Sequence, residues 1–537
     1  MAIANREQLP SCSEVDLPYF VHPNMSKVRP GDLSQEYFST EHLTTTIANR
    51  TARGGIVTIL SHGLKFAFSI GATAILARLL SPQDYGLIGM AVVFTGFVSM
   101  FKDLGLSLAT VQRAEINYEQ ISTLFWVNVI ISVAITIVMI LLAPLIAWFY
   151  GEPRLALITI VTSVGFIFGG LAVQHEALLK RQMRFYALSL IAFLSMMIGY
   201  GVGIILAWHG ARYWALVFSQ LSLLAVNVFG VWLICRWRPG FPKRNTGVRS
   251  MLSFGGNVTG YALINYISKN CDNLLIGRVF GPQPLGLYTK AAQLLSLPTE
   301  QINEPLSTVA IPALSRLADS PDRYRQAYLR IMEKVMLVTT PAVMLMLATS
   351  DWLVRIILGP QWTHTATIFI FMGIGGLFQP LASTGGWLLV SQGRVRDMLR
   401  WSMINAPISI LSIVAGLPWG VVGVAASFSL GRILIANPLL YWFVGRSGPV
   451  RTSDFYRLLA PFIGAALFSL LVCVVFRSMV YISSPFIGFV LCGIIVAITT
   501  PLALALMPAG RKALADIKRS IILLRPHKES VVATSAE

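Results

Sequence analysis

Basic side chains stand inside long apolar stretches of this sequence at four places: Lys65, Lys269, Lys290 and Arg432. A charge at the centre of a bilayer costs about 2.5–3.5 kcal/mol on insertion scales, so such a residue usually faces a partner or a water-filled cavity. Lys65 has no Asp or Glu in its own stretch, residues 54–80. A cavity lined by these cations would attract an anion, and phosphate is the most obvious one.

Several of these charges have a structural interpretation as well. Lys269 and Asp272 are three residues apart on one predicted helix, so they could neutralise each other as readily as bind a substrate. Arg432 is equally compatible with a substrate contact and with a neighbouring carboxylate. Lys102 and Asp103 are expected near the outer face, where a lysine can reach the headgroups. Acidic candidates for charge partners or ion coupling are Asp272, Glu300 and Glu304.

Enzyme signatures are missing from the sequence. The chain contains no Gly-Lys pair and therefore no P-loop, and it has neither an HExxH nor a GxSxG motif. Its five cysteines are scattered, without the spacing of a zinc site or a disulfide framework. We therefore predict no catalytic residue, no metal and no cofactor.

The elements that position these charges are membrane spans. Mean hydropathy is +0.67 and only 12% of residues are charged, against about 25% in soluble proteins. Apolar stretches long enough to cross a bilayer predict about fourteen helices. They lie near residues 54–80, 85–110, 121–149, 155–178, 186–208, 213–235, 250–278, 286–314, 331–357, 364–391, 399–418, 420–444, 456–479 and 484–507.

Basic residues concentrate in alternate connections between these spans. The positive-inside rule then places both termini in the cytoplasm. This pattern explains the net charge of +18 as membrane topology and argues against a nucleic-acid partner. The connections are too short to hold a soluble catalytic domain.

A short phrase occurs twice, 200 residues apart: residues 78–87 and 278–287 share an Arg, a Pro-Gln pair and a Gly-Leu pair at equivalent positions. About six spans separate the copies, so both hairpins lie on the same side of the membrane, and two halves are related by an axis along the membrane normal. Chance similarity between turn residues is the alternative. The hairpin residues are Arg78, Pro82, Gly86, Arg278, Pro282 and Gly286.

These observations predict an all-α polytopic membrane protein built as two parallel-repeat bundles. The predicted parts are a polar cytoplasmic N-terminal extension (1–49), an N-terminal six-helix bundle (50–238), a C-terminal bundle (239–445), two last transmembrane helices (446–508) and a basic cytoplasmic tail (509–537). The sequence leaves open whether Met1 or Met25 is the true start.

Several segments resemble one family of bacterial membrane proteins, the Wzx-type lipid-linked oligosaccharide flippases, in the branch that contains the colanic acid exporter. The family belongs to the multidrug/oligosaccharidyl-lipid/polysaccharide exporter superfamily, and the resemblance covers about residues 50–500. The segments that carry it are Ala77–Leu87, Phe101–Leu106, Gln174–Phe185, Asn270–Arg278 and Gly286–Tyr288.

The resemblance implies two bundles around a V-shaped central cavity that opens alternately to each side of the bacterial inner membrane. It implies a substrate of undecaprenyl pyrophosphate carrying an oligosaccharide repeat unit, for exopolysaccharide, capsule or lipopolysaccharide synthesis. Expected partners are membrane lipids and the glycosyltransferases, polymerase and export proteins of the same pathway.

Two other functions stay open at this point. A multidrug/cation antiporter of the same superfamily would favour a buried carboxylate in the first span, which has none. A membrane-embedded polysaccharide polymerase would favour a large outside loop, and the predicted connections are short. The glycan, the energy source and the oligomeric state do not follow from the sequence.

Overall fold

The computed structural model describes residues 47–102, 107, 110–111, 116–242, 248–508 and 510–511. Most of the predicted N-terminal extension and of the basic tail lies outside these residues, as does Asp103. The backbone of Glu304 is described, but its side chain is not.

The described chain folds into helices, and no strand occurs among the described residues. In chain order, the α-helices are α1 (Ile47–Leu79), α2 (Pro82–Ser99), α3 (Tyr118–Tyr150), α4 (Arg154–Arg181), α5 (Phe185–Trp208), α6 (Tyr213–Cys235), α7 (Val248–Phe280), α8 (Pro282–Ser315), α9 (Pro321–Ala348), α10 (Ser350–Ile357), α11 (Thr363–Gly376), α12 (Gln379–Ser391), α13 (Val395–Gly416), α14 (Gly420–Gly431), α15 (Asn437–Gly445), α16 (Thr452–Met479) and α17 (Pro485–Leu506). A 3₁₀ turn at Pro360–Trp362 precedes α11, and a π-helical turn at Arg432–Ala436 joins α14 to α15.

Helices occupy all fourteen predicted segments, but the number of membrane spans is a separate question. Within the described residues, eight helices are long and apolar enough to cross a membrane, or up to ten if each of two bent pairs counts as one span. The count of fourteen is therefore not confirmed. Helices α7 and α8 fall outside the eight, and their charges, including Lys269, Asp272 and Lys290, lower the hydropathy of both.

The first half, α1 to α6, packs its helices through small residues. Gly199 of α5 faces the carbonyl oxygen of Ser219 on α6, and Gly203 faces the Ser219 side chain. A methyl group at either glycine would meet these atoms within about 3 Å. Such close backbone approach is the usual way in which helices associate where lipid removes the hydrophobic driving force.

The second half, α7 to α15, and the last two helices share a core rich in tyrosine. Tyr324 and Tyr328 of α9 are fully buried, and Tyr441 of α15 stacks on Phe455 of α16 with ring centroids 4.8 Å apart. Arg325 Nε donates to Asp454 Oδ2 at 2.7 Å, which ties α9 to the start of α16. The last two helices are thereby anchored to the second half.

Candidate functional site

The repeated phrases form the corners of two helix hairpins. In the first, the apolar part of α1 from Gly63 to Leu79 meets α2 at an angle of 118°. In the second, α7 is followed by α8, with Gly281 between them at φ +83°. Pro82 and Pro282 are the first residues of α2 and α8, where proline replaces an amide that has no helical partner.

The two hairpins pack directly against each other. A Cβ added to Gly86 would overlap the backbone carbonyl of Pro282, and a Cβ added to Gly286 would overlap the carbonyl of Pro82. The contact is reciprocal, as expected for two related halves facing each other across an axis. We call the contact between Pro82, Gly86, Pro282 and Gly286 the seam.

A segment of the second half clasps the end of α1 beside the seam. Gln361 Nε2 and the buried Trp362 Nε1 both donate to the carbonyl oxygen of Ala77, at 2.6 and 2.8 Å. Arg78 donates to the carbonyl oxygen of Ile356 at 2.8 Å. Sequence reasoning missed this clasp, although a Trp in a connection between spans is a signal for a buried contact.

The second hairpin also reaches the end of α3. The Arg278 guanidinium lies 5.7 Å from the ring centroid of Phe149, and the Tyr150 ring covers Gly277. Further along the interface, the Tyr266 hydroxyl donates to the carbonyl oxygen of Val93 at 3.0 Å. The two halves are thus joined along one end of the bundle.

Lys290 lies on α8, one helical turn after Gly286 of the seam. Its side chain is buried, with 7% exposed, and its ammonium donates to Gln293 Oε1 at 2.9 Å. The ammonium also lies 4.0 Å from the ring centroid of Tyr85, which belongs to the first half. No ion pair to Lys290 occurs among the described residues.

A small cavity beside Lys290 is lined from α1 by Ser69 and Thr73, among other residues. Its volume of about 40 Å³ admits water but no larger anion in this conformation. Lys65 precedes Ser69 by four residues on the same helix, is partly buried and forms no ion pair within the described part of the chain. The structure therefore places Lys65 and Lys290 on two of the helices that border this cavity, and Lys290 itself lines it.

Asp272 and Lys269 do not neutralise each other. The Tyr288 hydroxyl donates to Asp272 Oδ2 at 2.8 Å, and the Asn273 amide donates to Oδ1 at the same distance. Lys269 is exposed, and no ion pair joins it to Asp272. The carboxylate therefore serves as an acceptor between α7 and α8.

Arg432 occupies the first position of the π-helical turn between α14 and α15. Its guanidinium lies 5.5 Å from the ring centroid of Phe428, one turn earlier. The described residues supply no carboxylate within ion-pair distance. A π-helical turn often marks a functional position in a helix, and sequence periodicity gave no sign of this one.

The remaining predicted residues lie away from the cavity. Glu300 is exposed further along α8. Lys102 lies against Gly169, near the middle of α4 and away from both ends of that helix. A Cβ on Gly169 would be 2.7 Å from the Lys102 ammonium.

Comparison with known sequences identifies the relatives of this chain. The family described as "Polysaccharide biosynthesis protein" matches residues 75–367. The teichuronic acid biosynthesis protein TuaB of Bacillus subtilis is 26% identical over 69% of this chain and 78% of its own length. The lipopolysaccharide biosynthesis protein WzxC of Escherichia coli is 24% identical over 69% and 75%.

Solved structures give the fold. The lipid II flippase MurJ, in an inward closed conformation, superimposes with a TM-score of 0.68, covering 88% of this chain and 100% of its own at 15% identity. An inward-facing multidrug transporter of the MATE family gives 0.56, covering 73% and 96% at 13% identity. These similarities show that the chain has the fold of a polytopic, all-α membrane protein. The sequence match spans more than half of the chain, and the chain belongs to the polysaccharide biosynthesis protein family.

Proposed function

We propose that the protein is a flippase that carries undecaprenyl-pyrophosphate-linked oligosaccharide units across the bacterial inner membrane by alternating access. The observation that carries this proposal is the burial of Lys290 without an acidic partner among the described residues. Lys290 lies one helical turn from the seam, where the two halves are in contact. An isolated buried charge is costly. Binding an anion would offset that cost.

The seam supports alternating access. Backbone packs on backbone at Gly86 and Gly286, so the two halves approach most closely at this contact. Two rigid helical halves joined in this way can separate as bodies, which is a common form of transporter motion. With the N-terminus in the cytoplasm, as the charge pattern predicts, the seam closes the outer side.

The cations define the part of the substrate that would be recognised. A pyrophosphate offers several anionic oxygens to Lys65 and Lys290 once the halves move apart, and charge-assisted hydrogen bonds are the strong ones. The sugars would occupy the aqueous interior, and the polyprenyl tail would remain in the bilayer. Lys269 and Arg432 stay candidates for the same anion at a later stage of the movement.

The names of the relatives support the substrate class. TuaB and WzxC are named for the biosynthesis of teichuronic acid and lipopolysaccharide, and the succinoglycan protein ExoT of Rhizobium meliloti, 23% identical over 68% of this chain, is named as a transport protein. Each name concerns a different polymer, so the relatives do not share one glycan, and we infer that the part of the substrate common to them is the carrier lipid. Glycosyltransferases, a polymerase and export proteins of one pathway would be the functional partners.

The test is to delete the gene and locate the lipid-linked oligosaccharides with a sugar-modifying probe that cannot cross the membrane. We expect single repeat units to accumulate on the inner leaflet, out of reach of the probe, and extracellular polymer to disappear. Single units accumulating on the outer leaflet would indicate a polymerase instead. Unchanged glycolipids with a loss of drug resistance would indicate the multidrug antiporter.

A further inference from the structure

A groove runs along the first half, away from the seam and from Lys290. It lies between α4 and α6 and has a volume of about 400 Å³. Its lining residues are apolar except for an arginine at one end: Phe168, Leu171, Ala225, Val228, Phe229, Trp232, Leu233 and Arg238. Phe229 and Leu233 are 70% and 62% exposed on an apolar helix, so the groove opens towards the bilayer.

The wall of the groove is fixed by an aromatic cluster behind it. Trp232 Nε1 donates to the carbonyl oxygen of Leu171 at 2.9 Å, which joins the two helices. The Trp232 ring stacks on fully buried His175 with centroids 4.5 Å apart and an interplanar angle of 24°. His175 packs in turn against Phe125 and Trp237. The groove is therefore a preformed depression rather than a gap between mobile side chains.

Arg238 is held over the end of this groove while staying exposed. Its guanidinium lies 5.3 Å from the Trp232 ring centroid. One of its nitrogens donates to the carbonyl oxygens of Trp232 and Trp237, at 3.0 and 3.1 Å. A guanidinium has five N–H donors in a planar fork. The remaining donors suit an anionic oxygen at the mouth of the groove.

Other charged residues lie near this end of the groove. Lys180 is in the last turn of α4, Arg184 immediately precedes α5, and Arg236 immediately follows α6. The carboxylate of Glu176 accepts from Asn227 at 2.8 Å and lies 3.9 Å from Lys180. Lys180 and Glu176 therefore offset each other and add no net charge at this end of the groove.

We propose that this groove binds an anionic glycerophospholipid, with the phosphate at Arg238 and one acyl chain along Trp232, Val228 and Ala225. From Ala225 to Leu233 the helix rises about 12 Å, which accommodates a large part of one chain. A cation at headgroup level attracts an anionic lipid headgroup, and the apolar groove beside Arg238 offers a surface for the acyl chain. The site is separate from the proposed transport path and does not depend on it.

The test is lipid retention by the full-length protein purified in detergent, measured by native mass spectrometry with added phosphatidylglycerol or phosphatidylcholine. We expect phosphatidylglycerol to be retained about 5-fold better, the effect of one basic contact of about 1 kcal/mol. R238Q should abolish this preference. The matched control R236Q removes the same charge two residues away and should preserve it.

A second variant tests the acyl-chain part of the proposal. Ala225→Leu should lower phosphatidylglycerol retention by filling the groove, with Leu141→Ala, a lipid-facing change on α3, as control. Equal retention of both lipids by the wild type, or equal behaviour of R238Q and R236Q, would overturn the proposal. Displacement of phosphatidylglycerol by undecaprenyl phosphate at this site would also overturn it, since the occupant would then be a polyprenyl chain.

Discussion

The two hairpins that meet at the seam begin their second helices in different ways. Before α2, Ser81 and Asp84 form a capping box: the Ser81 amide donates to Asp84 Oδ2 at 2.9 Å, and the Asp84 amide donates back to Ser81 Oγ at 3.3 Å. Before α8, Gly281 takes a positive φ of +83° and no side chain caps the helix. Both helix starts place a proline and, four residues later, a glycine at the seam.

This difference between the two hairpins distinguishes the residues needed to start a helix from the residues needed for contact between the halves. Among the residues shared by the two phrases, the proline and the glycine of each are the ones that touch across the seam. Ser81 and Gly281, which differ, only start a helix, for which a polar cap and a left-handed glycine are alternative solutions. The repeat therefore preserves the contact and not the turn.

The charges are distributed without this symmetry. The position equivalent to Lys290 in the first half is Met90, which is fully buried, and the position equivalent to Asp272 is Ala72. Both positions are apolar in one half and charged in the other. Both halves thus contribute the same residues to the seam, whereas the first half has no charge at the position equivalent to Lys290.

The largest expected effect comes from breaking the seam. Gly286→Val or Gly86→Val places side-chain atoms where the opposing backbone carbonyl lies, and overpacking of about 1–3 kcal/mol would favour the separated state about 5-fold to 150-fold. We expect polymer export to be nearly abolished at normal protein level.

The control for this change lies one turn away on α2. A Cβ on Gly89 would make an ordinary contact of 3.5 Å with Leu285, so Gly89→Ala should export normally. Normal export by both valine variants would show that the seam does not need to close.

Lys290→Met would make the second half resemble the first at the position of Met90. Loss of a charge-assisted contact worth about 1.5–3 kcal/mol should weaken substrate binding about tenfold or more, measured as the concentration dependence of flipping in proteoliposomes. Lys180→Met, at an exposed helix end, should behave as wild type. Equal substrate dependence of the two variants would remove Lys290 from the substrate site.

Trp362→Phe tests the clasp with a smaller change. It removes one buried hydrogen bond to the Ala77 carbonyl, worth about 1 kcal/mol, while Gln361 still donates to the same oxygen. We expect about 5-fold faster labelling of a cysteine introduced at Ser69, measured with a water-soluble maleimide. An unchanged labelling rate would mean that the clasp does not hold the closed state.

The smallest effects are expected at the caps. Ser81→Ala should destabilise the start of α2 by about 1 kcal/mol, and Ser81→Gly, which imitates the second hairpin, by only a few tenths. Thermal unfolding of the purified variants in one detergent measures both. A larger loss for the glycine variant would contradict the view that the two turns are interchangeable.

Much of the fold was accessible from the sequence because membrane helices follow from apolar stretches of bilayer length. Helices occupy every predicted segment, and the family resemblance is confirmed by the comparisons. The hairpin phrases could be found because the same residues recur at a fixed distance. Their mutual contact was not predicted, since a repeat does not say which surfaces face each other.

The contacts of the candidate site were harder to predict from the sequence, for the same reason. The contacts of Trp362 with Ala77 and of Lys290 with Tyr85 join residues about two hundred or more positions apart. Hydropathy and spacing report on one helix at a time and carry no information about such pairs. Charge inside a span did single out Lys290, because the cost of burying a cation is visible in the sequence alone.

The most direct test of the account is flipping of undecaprenyl-pyrophosphate-linked oligosaccharide in proteoliposomes containing the purified protein. A sugar-modifying enzyme added outside reports the units that cross. We expect steady transfer with the wild type and with Gly89→Ala, and transfer no faster than in empty liposomes with Gly286→Val. Lys290→Met should need about tenfold more substrate for the same rate of transfer. No transfer by the wild type, or equal transfer by all four proteins, would contradict a flippase that closes at the seam and binds pyrophosphate through Lys290.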